Sequence, residues 1–269
     1  MTTDQIIEQT IGNQKQTIDQ TIGMGMRLDC QSVDDQGNFV VQVTYDAIKF
    51  RQVGPMGPIE YDSTKDQETD NPLAAGFAGL LNQSFTVVFD STGQPVEVMG
   101  MEEMIDNIAA KMPAPNEEAR QQMKEGLRKQ LGDQATKQMM GNMPAYPAQP
   151  VGVGDQWENT ASMGSPVAMI ATNSVTFASR KDGKATLKIK STLAPGPQGE
   201  QMEMGKMKMD MTIEGDQDGT MVIDEATGML VEATMQQDLN CTMTMTGGPQ
   251  KMTIPMKIKS TVKMKGQKL

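Results

Sequence analysis

One stretch of this chain echoes another, and the echo constrains the fold more than any other feature. Residues 88–98 read Val-Phe-Asp-Ser-Thr-Gly-Gln-Pro-Val-Glu-Val, and residues 222–233 read Val-Ile-Asp-Glu-Ala-Thr-Gly-Met-Leu-Val-Glu-Ala. Each is an apolar strand end, an Asp, a Thr-Gly turn and a second strand carrying Val-Glu. Upstream, Asp34-Asp35-Gln36-Gly37 precedes strand-like Asn38 to Phe50, and Lys181-Asp182-Gly183-Lys184 precedes strand-like Ala185 to Leu193. Shared features in one order over such a span point to a β unit used twice, although Asp-x-x-Gly hairpins also recur in unrelated β proteins. Gly37 and Gly183 stand 146 positions apart, Gly93 and Gly228 only 135. The first copy therefore holds about eleven extra residues, and 51–84 is where they fit.

The hydrophobic pattern fills in the rest. Phe39, Val41, Val43 and Tyr45 share one parity and Ile48 and Phe50 the other, which predicts a bulge near Asp46-Ala47. Residues 51–84 read as an irregular connection, with a short helical turn near Leu73–Leu81. From Met101 the period changes. Met101, Met104, Ile105, Ile108 and Met112 form a helix stripe, ended by Pro113 and Pro115. Asn116 is the expected N-cap of a second helix, whose stripe is Met123, Leu127, Leu131 and Ala135. Pro144, Pro147, Pro150, Gly152 and Gly154 mark a linker. Beyond it, alternating strands are expected at 167–177, 185–193, 202–213, 219–224, 229–235, 239–245 and 252–264. The expected organisation is a first β unit over 1–100, a helical insert over 101–140, a linker over 141–156 and a second β unit over 157–269. One continuous domain is the alternative.

Composition excludes more than it assigns. The 269 residues contain no histidine. That removes the commonest general base and metal ligand, and with them every Ser-His-acid or Cys-His arrangement. No P-loop, dinucleotide fingerprint or Cys-x-x-Cys pair occurs. A non-catalytic chain without a cofactor is expected. The net charge of −10 speaks against nucleic acid as a partner. No apolar run reaches the roughly 18 residues that cross a bilayer. Met1-Thr2-Thr3-Asp4 begins without a basic and apolar leader, so a chain trimmed of its leader is expected, with a cytoplasmic location left open.

Several residue groups carry a sharper reading beside a plain one. There are 27 methionines against 11 leucines, many in Met-x-Met spacing: Met24/Met26, Met202/Met204, Met207/Met209/Met211 and Met243/Met245. Residues two apart on a strand face the same way, so these pairs suit soft Cu(I) coordination, an adaptable surface for lipid tails or apolar peptides, or a core in which Met replaces Leu. Cys30 and Cys241 each continue an apolar face. They are a candidate disulfide, worth about 4–5 kcal/mol in the chain-entropy model, or two buried thiols. Asp90 and Asp224, with Glu97 and Glu232 beyond them, are candidate Ca²⁺ pairs, or simply turn caps. Lys257, Lys259, Lys263 and Lys265 share one strand face. That face suits an anionic lipid or acidic partner, or is a solvated face whose lysines deter edge pairing. Trp157, the only tryptophan, is expected to anchor the second unit's core.

Tyr61-Asp62-Ser63, Phe89-Asp90-Ser91-Thr92-Gly93 leading to Val98-Met99-Gly100, Pro150-Val151-Gly152-Val153-Gly154-Asp155-Gln156-Trp157, and Asp224-Glu225-Ala226-Thr227-Gly228 follow one another in that order. This series resembles a family of uncharacterised bacterial exported and lipid-anchored proteins of unknown function, common in planctomycete-like bacteria. The resemblance implies export and no catalytic residues, and the missing leader or lipidated Cys would supply peripheral membrane association. The fold expected is mainly β (α+β): an antiparallel curved sheet or half-barrel built from two related β units, with a helical insert. The function expected is a non-catalytic envelope protein that binds a lipid-like or apolar ligand, or another envelope protein, on that sheet. The alternative is a structural interaction module with a solid core.

Overall fold

A computed structural model describes residues 1–11, 14–55, 57–65, 69, 71–91, 93–112, 114–141, 147, 149–163, 169–196, 202–204, 207–247 and 251–267. Among the described residues thirteen strands and four helices follow in chain order: β1 (Thr2–Ile11), β2 (Gln14–Val33), β3 (Phe39–Gly54), β4 (Gly57–Asp62), α1 (Pro72–Ala78), β5 (Ser84–Phe89), β6 (Pro95–Met99), α2 (Met101–Lys111), α3 (Glu117–Leu131), α4 (Asp133–Gly141), β7 (Gln156–Met163), β8 (Met169–Lys181), β9 (Lys184–Pro195), β10 (Met202–Met204), β11 (Met207–Asp224), β12 (Leu230–Thr246) and β13 (Met252–Lys265). Every strand pair whose register is described is antiparallel. The protein is mainly β with a small helical part. Residues 142–146 and 148 of the expected linker lie outside the described residues.

The chain forms two compact units. All four helices fall in one of them, the helical unit, which comprises Thr21–Val53 with Gly57–Ala145. The other, Met1–Gln20, Gly54–Met56 and Tyr146–Leu269, is the strand unit.

In the helical unit the strand order is β6-β5-β3-β2, with β4 on β3. Val43, Ile48, Phe50, Tyr61, Phe85 and Val87 from the strands meet Met101, Met104 and Ile108 of α2 in one buried cluster. Burial on β3 changes parity between Tyr45 and Ile48, where the bulge was expected. Phe50 stacks on Phe77 of α1, ring centroids 4.6 Å apart. Asn116 caps α3 by accepting from the Ala119 N–H at 2.8 Å. The second predicted helix is in fact two, α3 and α4. Its ladder stops at Gly132, whose N–H bonds the Arg128 carbonyl. Within 51–84 the short helical turn expected near Leu73–Leu81 is α1, while β4 is a strand that the irregular reading did not include. Met24 is half-buried on this core, but Met26, two residues on and expected on the same face, is exposed, as are Leu28 and Cys30.

In the strand unit the order runs β2-β1-β13-β12-β11-β9-β8-β7. Four strands repeat the order seen in the helical unit: β12-β11-β9-β8 matches β6-β5-β3-β2. The sequence echo marks equivalent hairpins, β2–β3 with β8–β9 and β5–β6 with β11–β12. Asp182 and Gly183 turn the β8–β9 hairpin with φ of 51° and 70°, the left-handed pair such two-residue loops need. The expected break between 213 and 219 is absent, and β11 runs unbroken for 18 residues. Glycine is what keeps it extended there. A Cβ on Gly215 would lie 2.2 Å from the Asp238 carbonyl oxygen, and one on Gly219 2.1 Å from that of Thr234. The lysines of β13 do not guard an edge, because β13 is paired on both sides, with β1 and β12. They pair across strands instead: Asp238 takes Lys257 at 3.4 Å and Lys259 at 3.7 Å, and Glu232 lies opposite Lys265.

Candidate functional site

The apolar face of the strand unit is interrupted along a single line. Antiparallel register sets Asn159 of β7 beside Asn173 of β8, then Ser191 of β9, Gln217 of β11, Gln237 of β12, Ser260 of β13 and Gln5 of β1. Gln5 Nε2 donates to Gln20 Oε1 of β2, which extends the line to an eighth strand. Because alternate residues of a strand share a face, the residues two before and two after belong to the same surface. On one side they include Trp157, Val175, Ile189, Met235 and Val262; on the other Ala171, Leu193, Leu239 and Ile258. These flanks belong to two separate apolar clusters. The polar line divides the core of this unit in two.

The line is held by side-chain hydrogen bonds in three segments. Ser191 Oγ donates to Asn173 Oδ1 at 2.6 Å, and Asn173 Nδ2 to Asn159 Oδ1 at 2.7 Å. Ser260 Oγ donates to Gln237 Oε1 at 2.6 Å, and Gln237 Nε2 to Gln217 Oε1 at 2.6 Å. Gln5 and Gln20 form the third. Asn173, Ser191 and Ser260 are buried, while Gln5, Gln20, Gln217, Gln237 and Asn159 are half-buried. Every group in the line is neutral at all ordinary pH values, so it offers dipoles rather than charges. Neither serine has a base beside it among its described partners; each hydroxyl donates to an amide oxygen.

Other residues singled out from the sequence fall elsewhere or serve the turns. Asp224 Oδ1 accepts from the N–H groups of Ala226 and Thr227 and from the Thr227 hydroxyl. The Thr227 hydroxyl, with that backbone N–H, holds its carboxyl below the ordinary value. Asp90 likewise accepts from the Gln94 N–H at 2.9 Å. Both are turn caps, as the plain reading had it. Cys30 and Cys241, the candidate disulfide pair, are free thiols, one exposed and one buried. Burial pushes the Cys241 thiol up, away from the reactive thiolate. The methionine spacing does bring thioether-bearing positions together: Met209 lies opposite Met245 and Met211 opposite Met243, on the ladder's face. The backbone of Met202 pairs with Met209 and that of Met204 with Met207, but the side chains of Met202, Met204 and Met207 lie outside the described residues. Trp157 does pack on a core cluster of the strand unit.

A depression of about 580 Å³ lies at the same register. It is lined by Gln5, Gln237 and Ser260 together with Asp4, Asp19, Asp216, Asp218, Asp238 and Lys259. The acids alternate with the ladder residues and so carry their side chains on the other, exposed face. Among the described residues no three acids, cysteines or histidines converge to hold a metal ion.

The ladder leaves a trace in the sequence. Several strands carry one polar residue inside an apolar alternation, as in Ala171-x-Asn173-x-Val175, Ile189-x-Ser191-x-Leu193 and Ile258-x-Ser260-x-Val262. What no single strand reveals is that these interruptions fall at one register. Residues 36–230 match a family of unknown function, DUF6263. The chain belongs to that family. The match spans the ladder positions Asn159, Asn173, Ser191 and Gln217, and stops at the start of β12, before Gln237. No curated protein sequence matches the chain.

Proposed function

We propose that this chain is a non-catalytic protein of the bacterial envelope that binds a lipid-like or apolar ligand on the sheet of its strand unit. The observation that carries the reading is the uncharged ladder, part buried and part half-buried, set between two apolar clusters. Ligand sites for apolar molecules have this composition: mostly hydrophobic lining with a few placed polar groups that fix orientation. The absence of histidine from the sequence and the engagement of Ser191 and Ser260 as donors support a binding role over a catalytic one. No helix among the described residues is long and apolar enough to cross a membrane. Export and an N-terminal membrane anchor rest on the resemblance carried by the Tyr61–Ser63, Phe89–Gly100, Pro150–Trp157 and Asp224–Gly228 segments.

Native mass spectrometry of protein purified without detergent tests the reading. A co-purified lipid or other apolar molecule of defined mass, lost on organic extraction, is the expected result. A ligand-free chain that also fails to take up added lipid would sink it. A second reading is a protein–protein interaction module, favoured by Met26, Leu28, Val33 and Phe39 of the helical unit, which are 39–56% exposed. Charged replacements at Leu28 and Phe39 that release a co-purifying protein without changing lipid content would favour that alternative.

A further inference from the structure

The ladder ends at β7, the last strand of the sheet order, and it ends on unpaired donors. Asn159 accepts from Asn173 through Oδ1, but its Nδ2 is buried without a hydrogen-bond partner among the described residues. Trp157 Nε1 is in the same condition. The two residues are two apart on one strand, so they share a face and stand roughly 7 Å apart. A buried donor without an acceptor is disfavoured, and native structures keep such groups rarely. Here two occur side by side, at the terminus of a hydrogen-bonded chain. That chain has a direction: Ser191 donates to Asn173 and Asn173 to Asn159, so each bond polarises the next and strengthens the terminal amide as a donor.

We infer that Trp157 Nε1 and Asn159 Nδ2 form a subsite for an uncharged acceptor oxygen, an ester or ketone carbonyl, on the apolar ligand. This rests on the binding function proposed above and goes beyond it by naming the ligand's head chemistry. An uncharged group is favoured over a carboxylate because the register neighbours on this face, Val175 and Asn173, supply no cation. A carboxylate without a counter-ion is costly to bury. A carbonyl reaching β7 beside Trp157 and Asn159 would satisfy both donors at once.

Trp157 is the chain's only tryptophan, so its emission reports this subsite alone. The native chain is titrated with a dibrominated long-chain methyl ester, and separately with the dibrominated alkane of equal length, since bromine quenches indole emission at contact. Saturable quenching by the ester, with the alkane about tenfold or more weaker, is the expected result, as one or two hydrogen bonds imply. Asn159→Leu, which leaves the Trp157 donor in place, should bring the ester part of the way toward the alkane's affinity and leave the alkane unchanged. Equal affinity of ester and alkane for the native chain overturns the donor subsite while leaving apolar binding intact. Quenching by neither overturns both. The ester–alkane comparison needs no variant, so a misfolded Asn159→Leu would not rescue the idea.

Discussion

The helical unit and the strand unit carry the same four-strand order but fill their cores differently. In the helical unit, side chains of β3, β4 and β5 meet α2 in one continuous apolar cluster. In the strand unit no helix contributes among the described residues, and hydrogen-bonded amides and hydroxyls split the apolar face into two clusters. The 146-residue offset that aligns Gly37 with Gly183 makes Tyr45 the counterpart of Ser191. Tyr45 is 5% exposed and lies against Phe85, whereas Ser191 joins the ladder. A repeated sheet thus became a helix-packed core in one place and a polar-banded surface in the other. The polar band is the more specific feature, because buried polar groups must all be matched at one register whereas apolar groups tolerate exchange.

If the helical unit depends on its continuous core, the largest loss should come from there. Ile108 of α2 is fully buried, and Gly79 comes close enough that a Cβ on it would lie 3.1 Å from Ile108 Cγ2. Ile108→Ala should cost about 2–4 kcal/mol, the range for buried aliphatic truncation. Urea unfolding followed by far-ultraviolet circular dichroism measures it. A cost below about 1 kcal/mol, the level of an ordinary surface change or a conservative core swap, would break the contrast between the units.

The strand unit should respond differently, to the pairing of its polar groups rather than to apolar volume. Asn173→Leu leaves Ser191 Oγ and Asn159 Oδ1 without their partner. It should cost about 1–3 kcal/mol, although it adds apolar surface. Replacing Asn159, Asn173 and Ser191 together by Leu, Leu and Ala removes donors and acceptors alike and should recover most of that loss. If the triple change is no better than the single one, the ladder is not an interdependent network. Equilibrium unfolding monitored by Trp157 emission reports both.

Much of this architecture was legible in the residues, and the reasons differ by element. The hairpins around Asp34, Asp90 and Asp224 were readable because turn chemistry is local: an Asp side chain bonds N–H groups a few residues ahead, and the Asp182-Gly183 turn because its two residues take left-handed backbone. The α2 stripe and the Asn116 cap were readable for the same reason. What failed was long-range. The lysines of β13 looked like edge guards because nothing in 252–265 shows that β1, from the far end of the chain, pairs with it. Residues 214–218 fell between two expected strands, and a glycine such as Gly215 usually weakens a strand. The role of Gly215 and Gly219 in close approach to β12 becomes visible only with β12 in place. The ladder was missed for that cause too: Asn, Gln and Ser on an apolar face look like imperfections until eight strands are aligned.

The smallest expected effect concerns the turns that the two units share. Asp34 in the helical unit and Asp224 in the strand unit both have carboxyls held below their ordinary value. For Asp34 the leading cause is the Asn38 backbone N–H, for Asp224 the Thr227 hydroxyl. A carboxyl whose folded pKa is depressed contributes stability that is fully present above its unfolded value, about 4, and is lost as pH falls through the folded value. Stability should therefore hold from neutral pH down to about 5 and decline below about 4. Both side chains are exposed, so each share is modest and screened by salt. Asp34→Asn and Asp224→Asn should each flatten the acid limb slightly without moving the neutral plateau much, since the amide oxygen still accepts from the turn. Thermal unfolding between pH 3 and 7 reads the slope. An unchanged slope for Asp224→Asn beside a flattened one for Asp34→Asn would show that the echoed hairpins, alike in sequence, do not share their electrostatics.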